Sequence, residues 1–406
     1  MSRPGAGTGL TPSGWAAAAG GCLLLAAGLA AGYPTLASLG AAGLAAVGGA
    51  LGFVAVRPRL RATRTVEPAR VTVGEHAHGR IELTNTGRVP APPFEAVDQV
   101  DGAAVRVPAP PLRPGGHAVL TYEVPAHRRG PVRVGPVVLH RTDPFGLACR
   151  RAPLAAAVWL WVRPRIHPIR PIPVGVALDF EGRLTDKAGS TAFSALRGYQ
   201  PGDDPRVIHW RSTARLGTLV VRERVDTSEP VVTIVVDTRA DRYDPESFEG
   251  AVEFAASVSV AFQRIGRPVS LAAVGEDRAA VALAGGRDVL DRLTALRPAA
   301  TAGLAAVLEL IDRSPGGGCL VLVTGAAPGA APGPPPGLAP AVAHRRRRFS
   351  DVVVAQIGPD QHPGVLRQSG VVLLGARSGA EAAALFNRLG TPGAVPAQAE
   401  AGAQRR

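Results

Sequence analysis

Lysine is almost missing from this chain: Lys187 is the single lysine among 45 basic residues, and the rest are arginine. Alongside 49 glycines, 38 prolines and abundant alanine, that imbalance reflects a GC-rich coding bias rather than a surface selected to be basic. The net charge of +13 (45 basic against 32 acidic) and the pI near 11.0 therefore carry little argument for a nucleic-acid partner. Cysteine is scarce as well. Cys22, Cys149 and Cys319 are too few and too scattered for a disulfide framework or a zinc site, which favours a reducing compartment. No Gly-rich phosphate loop, nucleophile elbow or metal-ligand cluster occurs in the 406 residues. What is present is apolar: 46% hydrophobic residues exclude a disordered chain, and the length suits two or three domains.

Charge is absent from two stretches, Trp15 to Gly32 and Leu36 to Val56, each close to the ~20 apolar residues that cross a bilayer core. Tyr33-Pro34 separates them as a turn, so 15–56 reads as a transmembrane hairpin, with 1–14 before it on the cytoplasmic side. A signal peptide followed by one anchor is the rival reading, and it leaves the second run unexplained. Arg57, Arg59, Arg61 and Arg64 follow the second run while the connection carries no charge. The positive-inside rule then puts both termini, and the bulk of the chain, in the cytoplasm of a multi-pass membrane protein.

From 65 to 164 the pattern turns to short alternating runs broken by Gly and Pro, the mark of a β-sandwich of immunoglobulin-like size. Strands are expected at Phe94–Val100, His117–Val124, Pro131–Leu139 and Ala156–Val162. His76 and His78 share one face of a strand; without a third ligand nearby they read as a polar strand end rather than a metal site.

The most informative stretch, within 190–225, runs Leu196-Arg197-Gly198-Tyr199-Gln200-Pro201-Gly202-Asp203-Asp204-Pro205-Arg206 and on through His209-Trp210 to Ala214-Arg215. Pro201-Gly202 makes a turn, Asp204 stands at an N-cap position and Pro205 at the first helical position, with Gly217 just past the helix end. Leu196, Arg197, Tyr199, Pro201, Gly202, Asp203, Asp204, Arg206, Ile208, Trp210, Ala214 and Arg215 closely resemble the signature of the domain of unknown function 58 family of bacterial membrane proteins. Asp143-Pro144-Phe145-Gly146-Leu147 and the paired membrane segments resemble it too. The resemblance implies a membrane-anchored protein with a von Willebrand factor A-like domain. It also implies association with MoxR-type AAA+ ATPases and transglutaminase-like membrane proteins. It implies no chemistry. Asp203, Asp204 and His209 invite an acid/base reading, but a capped helix held by ion pairs, with Trp210 packed against a neighbouring domain, accounts for them without catalysis.

From 226 to 390, β-branched runs such as Val231–Asp237 alternate with helical patterns such as Pro245–Ile265, which argues for a doubly wound α/β sheet of Rossmann-like kind. The resemblance places a cation-binding Asp-x-Ser-x-Ser and a threonine here. This chain reads Asp237-Thr238-Arg239-Ala240-Asp241, with Thr301 as the matching threonine, so arginine and aspartate replace the serines. A guanidinium is hostile to a cation, so these positions read as a degenerate metal site with no metal and no cofactor. His344-Arg345-Arg346-Arg347-Arg348 reads as a solvated helix end, with contact to anionic lipid as its alternative. Residues 391–406 read as a tail. The expectation is a non-enzymatic adaptor or scaffold held at the membrane; a membrane-tethered enzyme using Asp203/Asp204/His209 and a nucleic-acid binder are the alternatives.

Overall fold

Two apolar runs with prolines at their starts become two helices, α1 (Pro12–Ala31) and α2 (Pro34–Ala55). In this computed structural model the described residues are 7–171, 177–178, 184–185, 196–199, 210–222, 231–274, 286–299, 303–327, 329 and 337–389. They fall into two units, Met1–Arg163 and Pro164–Arg406. Both helices are long and apolar enough to cross a membrane, and most of their side chains are exposed. They pack through small residues: a Cβ on Gly28 would lie 2.3 Å from the Ala37 nitrogen, so only glycine permits this approach. The segment expected to be a plain N-terminus contains a short strand, β1 (Gly7–Leu10), followed by Thr11, whose hydroxyl accepts from the Gly14 amide and caps α1.

The rest of the first unit is all strand. β2 (Leu60–Glu67), β3 (Arg70–Thr72), β4 (His76–Asn85), β5 (Phe94–Val100), β6 (Ala103–Ala109) and β7 (His117–Pro125) are followed by β8 (Gly130–Val134), β9 (Val137–Thr142), β10 (Ala148–Ala155) and β11 (Val158–Arg163). One sheet runs β1-β10-β9-β5-β8-β11-β3 with β6 added on β5; the other is β2-β4-β7. Their inner faces share one apolar core that includes Ile81, Leu83, Phe94, Val124, Leu139 and Leu160. The single strand expected over 131–139 is two, because Gly135-Pro136 interrupts the ladder and Pro136 has no N–H to give it. His76 and His78 lie on the exposed face of β4.

A buried polar triad ties the two sheets. Arg64 of β2 gives its Nη2 to Asp98 Oδ2 of β5 at 2.7 Å and its Nη1 to the Val134 carbonyl at 2.8 Å. The Tyr122 hydroxyl of β7 also donates to Asp98. Arg64, expected among the membrane-flanking arginines, is therefore an interior residue, whereas Arg57, Arg59 and Arg61 are exposed.

The second unit begins with residues 164–171 lying on its helices: His167 Nε2 is 2.9 Å from Glu253 Oε2, and Asn387 holds both the Arg170 amide and the Pro168 carbonyl. Two small antiparallel pairs follow, β12 (Ala177–Leu178) with β13 (Leu184–Thr185), and β14 (Leu196–Gly198) with β15 (Val220–Arg222), the latter separated by α3 (Trp210–Leu216). Beyond them come β16 (Val232–Val236), α4 (Pro245–Arg264), β17 (Val269–Ala273), α5 (Gly286–Ala295), α6 (Leu304–Arg313) and β18 (Cys319–Gly325). Then α7 (Leu338–Arg345), β19 (Asp351–Ile357), β20 (Gly364–Gln368), β21 (Val371–Ala376) and α8 (Gly379–Leu389) complete it.

The sheet order is β17-β16-β18-β19-β21-β20, parallel except for the antiparallel edge strand β20. Alternate residues of each central strand face opposite layers: Ile234, Val321 and Val353 pack under α4, α5 and α8, while Val235, Leu322 and Val354 pack under α6 and α7. Burial on both faces explains why these strands read as unbroken apolar runs. Helix α4 starts in a capping box, Asp244 accepting from the Ser247 amide and Ser247 returning to the Asp244 amide. The apolar run Ala279–Leu283, which by its sequence reads as a further strand, lies outside the described residues.

Candidate functional site

In a doubly wound sheet the ligand crevice lies outside the carboxyl ends of the strands, where the strand order reverses. Here the reversal falls between β16 and β18. Asp237 directly follows β16, and Thr324 is the penultimate residue of β18. The Asp237 carboxylate is buried and engaged on both oxygens. Arg239 gives Nε to Oδ1 at 2.9 Å and Nη2 to Oδ2 at 2.7 Å, and the Thr324 hydroxyl donates to Oδ2 at 2.7 Å. The fork of the guanidinium matches the carboxylate, which makes this the strong, two-bond kind of ion pair. Hydrogen bonding to Asp237, followed by its charge, holds Arg239 above the ordinary arginine value although burial opposes it.

Tyr243 closes the same corner. It follows the short 3-10 turn Ala240–Arg242, its ring packs edge-on against Phe248, and burial, then the Asp237 charge, push its phenol well above the usual range. Asp241, grouped with Asp237 by sequence, is exposed, and it adds only its charge to the field that raises Arg239. A divalent cation needs open carboxylate oxygens. At Asp237 those oxygens are taken by Arg239 and Thr324, so the residues present do not fit the cation that the resemblance implies. Among the described residues no group of three His, Cys, Asp or Glu side chains converges. The label of a degenerate metal site thus has no ligand cluster behind it; a closed ion pair stands there. Thr301 lies outside the described residues.

The signature segment is described in part. Leu196 and Arg197 sit in β14 opposite Arg222 and Val221 of β15, and the Tyr199 amide donates to the Leu219 carbonyl at 2.8 Å. The helix ends as its spacing implies, with Gly217 at φ +67° and its amide on the Thr213 carbonyl. Ala214 and Arg215 are exposed, and Trp210 is 66% exposed rather than packed against a neighbour. Pro201, Gly202, Asp203, Asp204, Arg206, Ile208 and His209 lie outside the described residues.

The basic run at 344–348 is a structural device more than a free patch. Arg348 donates to the Ile311, Asp312 and Ser314 carbonyls at the end of α6, and Arg345 grips the Asp312 carboxylate at 2.8 and 2.9 Å. Arg348 satisfies the open carboxyl end of a helix and Arg345 pairs with a side chain beside it, which the run's density of charge did not reveal in the sequence.

The class these features define is an α/β domain with a self-occupied switch point, preceded by a two-sheet body and an apolar helix pair. Residues 195–325 match the model of the family described as Protein of unknown function DUF58, so a domain of that family is present over this part of the chain. A comparison with curated proteins finds no match. Among solved structures, the CARDB domain of a Pyrococcus furiosus protein in complex with di-metal ions is 16% identical, over 24% of this chain and 94% of that one, with a TM-score of 0.19. A Pseudomonas fluorescens alkylpurine DNA glycosylase bound to DNA is 19% identical over 30% and 39%, with a TM-score of 0.19. The Bacillus subtilis sporulation control protein Spo0M is 16% identical over 25% and 51%, with a TM-score of 0.16. Likenesses this slight carry no argument about activity.

Proposed function

We propose that this protein is a membrane-anchored, cytoplasm-facing adaptor without catalytic activity, whose α/β domain presents a surface to a MoxR-type AAA+ ATPase. On this reading α1 and α2 span the bilayer, the two-sheet body is immunoglobulin-like, and the α/β body is von Willebrand factor A-like. A transglutaminase-like membrane protein is a second partner. The observation that carries it is the Asp237–Arg239 pair: the crevice where such a sheet would take a ligand is filled by the chain's own cation. Support for the orientation comes from exposed Arg57, Arg59 and Arg61 directly after α2. Affinity purification of the full chain from a gentle detergent extract tests the partnership. A stoichiometric AAA+ ATPase in the eluate supports it, and its repeated absence contradicts it.

A further inference from the structure

The turn between β9 and β10 is locked against the ends of both apolar helices. Thr11, the cap of α1, gives its hydroxyl to the Gly146 carbonyl at 2.5 Å and its amide to the Leu147 carbonyl at 2.9 Å. A Cβ on Gly14 would lie 1.9 Å from the Leu147 oxygen, so the turn reaches the level of the first helical turn. On the other helix, Ala50 and Val54 form a small buried cluster with Ala148, and Leu147 packs on it. The turn is rigid: Asp143 accepts from the Phe145 amide at 2.8 Å and from the Ala148 amide at 2.5 Å. At its tip Phe145 is 78% exposed. A large apolar ring held out from a rigid turn at this depth finds apolar surroundings only if lipid supplies them.

Positive charge gathers beside it. Arg141 lies over the Phe53 ring at 4.3 Å and is buried, with its Nε unpartnered. Burial and then Arg150 pull Arg141 below the ordinary arginine value, and burial and then Arg57 do the same to Arg150. Among the described residues no carboxylate pairs with Arg57, Arg141 or Arg150, although salt bridges satisfy several arginines elsewhere. Arg150 thus repels Arg141 and is repelled by Arg57, and among the described residues no carboxylate offsets these guanidiniums at the foot of the two apolar helices.

We propose that this end of the two-sheet body is a docking surface for anionic phospholipid, with Arg57 and Arg150 holding headgroup phosphates, Arg141 reinforcing them from behind, and Phe145 seated among the acyl chains. The inference rests on the reading of α1 and α2 as bilayer-spanning. It adds that the soluble body lies flat on one leaflet rather than swinging free on its anchor, and that this leaflet is anionic.

The test uses full-length protein in bilayer nanodiscs of phosphatidylcholine containing about one third phosphatidylglycerol. Retained lipid is measured after transfer to detergent, and resistance to alkaline carbonate extraction is measured in parallel on vesicles. Wild type is expected to retain phosphatidylglycerol preferentially, the doubly substituted Arg57→Gln/Arg150→Gln protein to lose that preference by about fivefold per arginine, and Phe145→Ala to weaken retention of both lipids. All three proteins are expected to resist carbonate. Equal retention of both lipids by carbonate-resistant wild type, or an unchanged preference in the double variant, overturns the docking surface and leaves the anchor standing. Extraction of wild type by carbonate overturns the anchor and the docking surface together.

Discussion

Arg239 closes on Asp237 from two residues away, with both carboxylate oxygens and two guanidinium nitrogens engaged at 2.7–2.9 Å. The contact is so local that the chain carries its own counter-ion to the switch point, before any partner or ligand arrives. Thr324 from the neighbouring strand completes it.

Breaking that pair leaves an uncompensated charge in a buried corner. Arg239→Ala is expected to destabilise the α/β body by about 3–5 kcal/mol, and the double change Arg239→Ala/Asp237→Ala by distinctly less. Denaturant unfolding of the two variants checks this. With Asp237→Ala measured as well, a double cost equal to the sum of the two single costs contradicts the pairing.

Burial, reinforced by the hydrogen bond to Asp98, pushes Tyr122 from 10.0 up to about 12. Because the folded pKa is the higher one, the folded state keeps its proton where the unfolded state has lost it. This contribution to stability is complete below pH 10 and is lost as pH rises from 10 to about 12. Alkaline unfolding followed by circular dichroism is expected to steepen across that interval, and Tyr122→Phe is expected to flatten it.

Asp351 opens β19 half-buried, and desolvation raises it above the usual carboxylate range although Arg346 and Arg367 oppose the shift. A carboxyl with a raised folded pKa costs nothing while protonated in both states, and the cost develops as pH rises through the folded value. Asp351→Asn is therefore expected to raise the melting temperature at pH 7 and to leave it unchanged near pH 3.

The α/β body was legible because its strands are buried on both faces: Val232–Val236 and Asp351–Ile357 read as apolar, β-branched runs, and Asp244-Pro245 marks the start of α4. The edge strand Gly364–Gln368 was not, since an exposed edge needs no apolar pattern. Ala103–Ala109 and Ala148–Ala155 were missed for the prolines they carry, which the edge strand β6 and the register shift after Pro153 in β10 tolerate. Arg64 shows a different limit. Its alternation with Val66 put it on the inward face, but only the opposing Asp98, 34 residues away, makes an interior arginine tenable. Arg239 stands two residues from both Asp237 and Asp241, so the sequence left its partner open and the fold alone selects Asp237. The Arg57, Arg141 and Arg150 cluster was not legible either, because helix end and sheet meet only in the fold.

Protease protection tests the central claim most directly. Proteinase K is added to intact spheroplasts and, separately, to inverted membrane vesicles, with detection by an antibody against the α/β body. An anchored protein facing the cytoplasm stays intact in the spheroplasts and is cut in the inverted vesicles. Cleavage in spheroplasts, with protection in the vesicles, contradicts it.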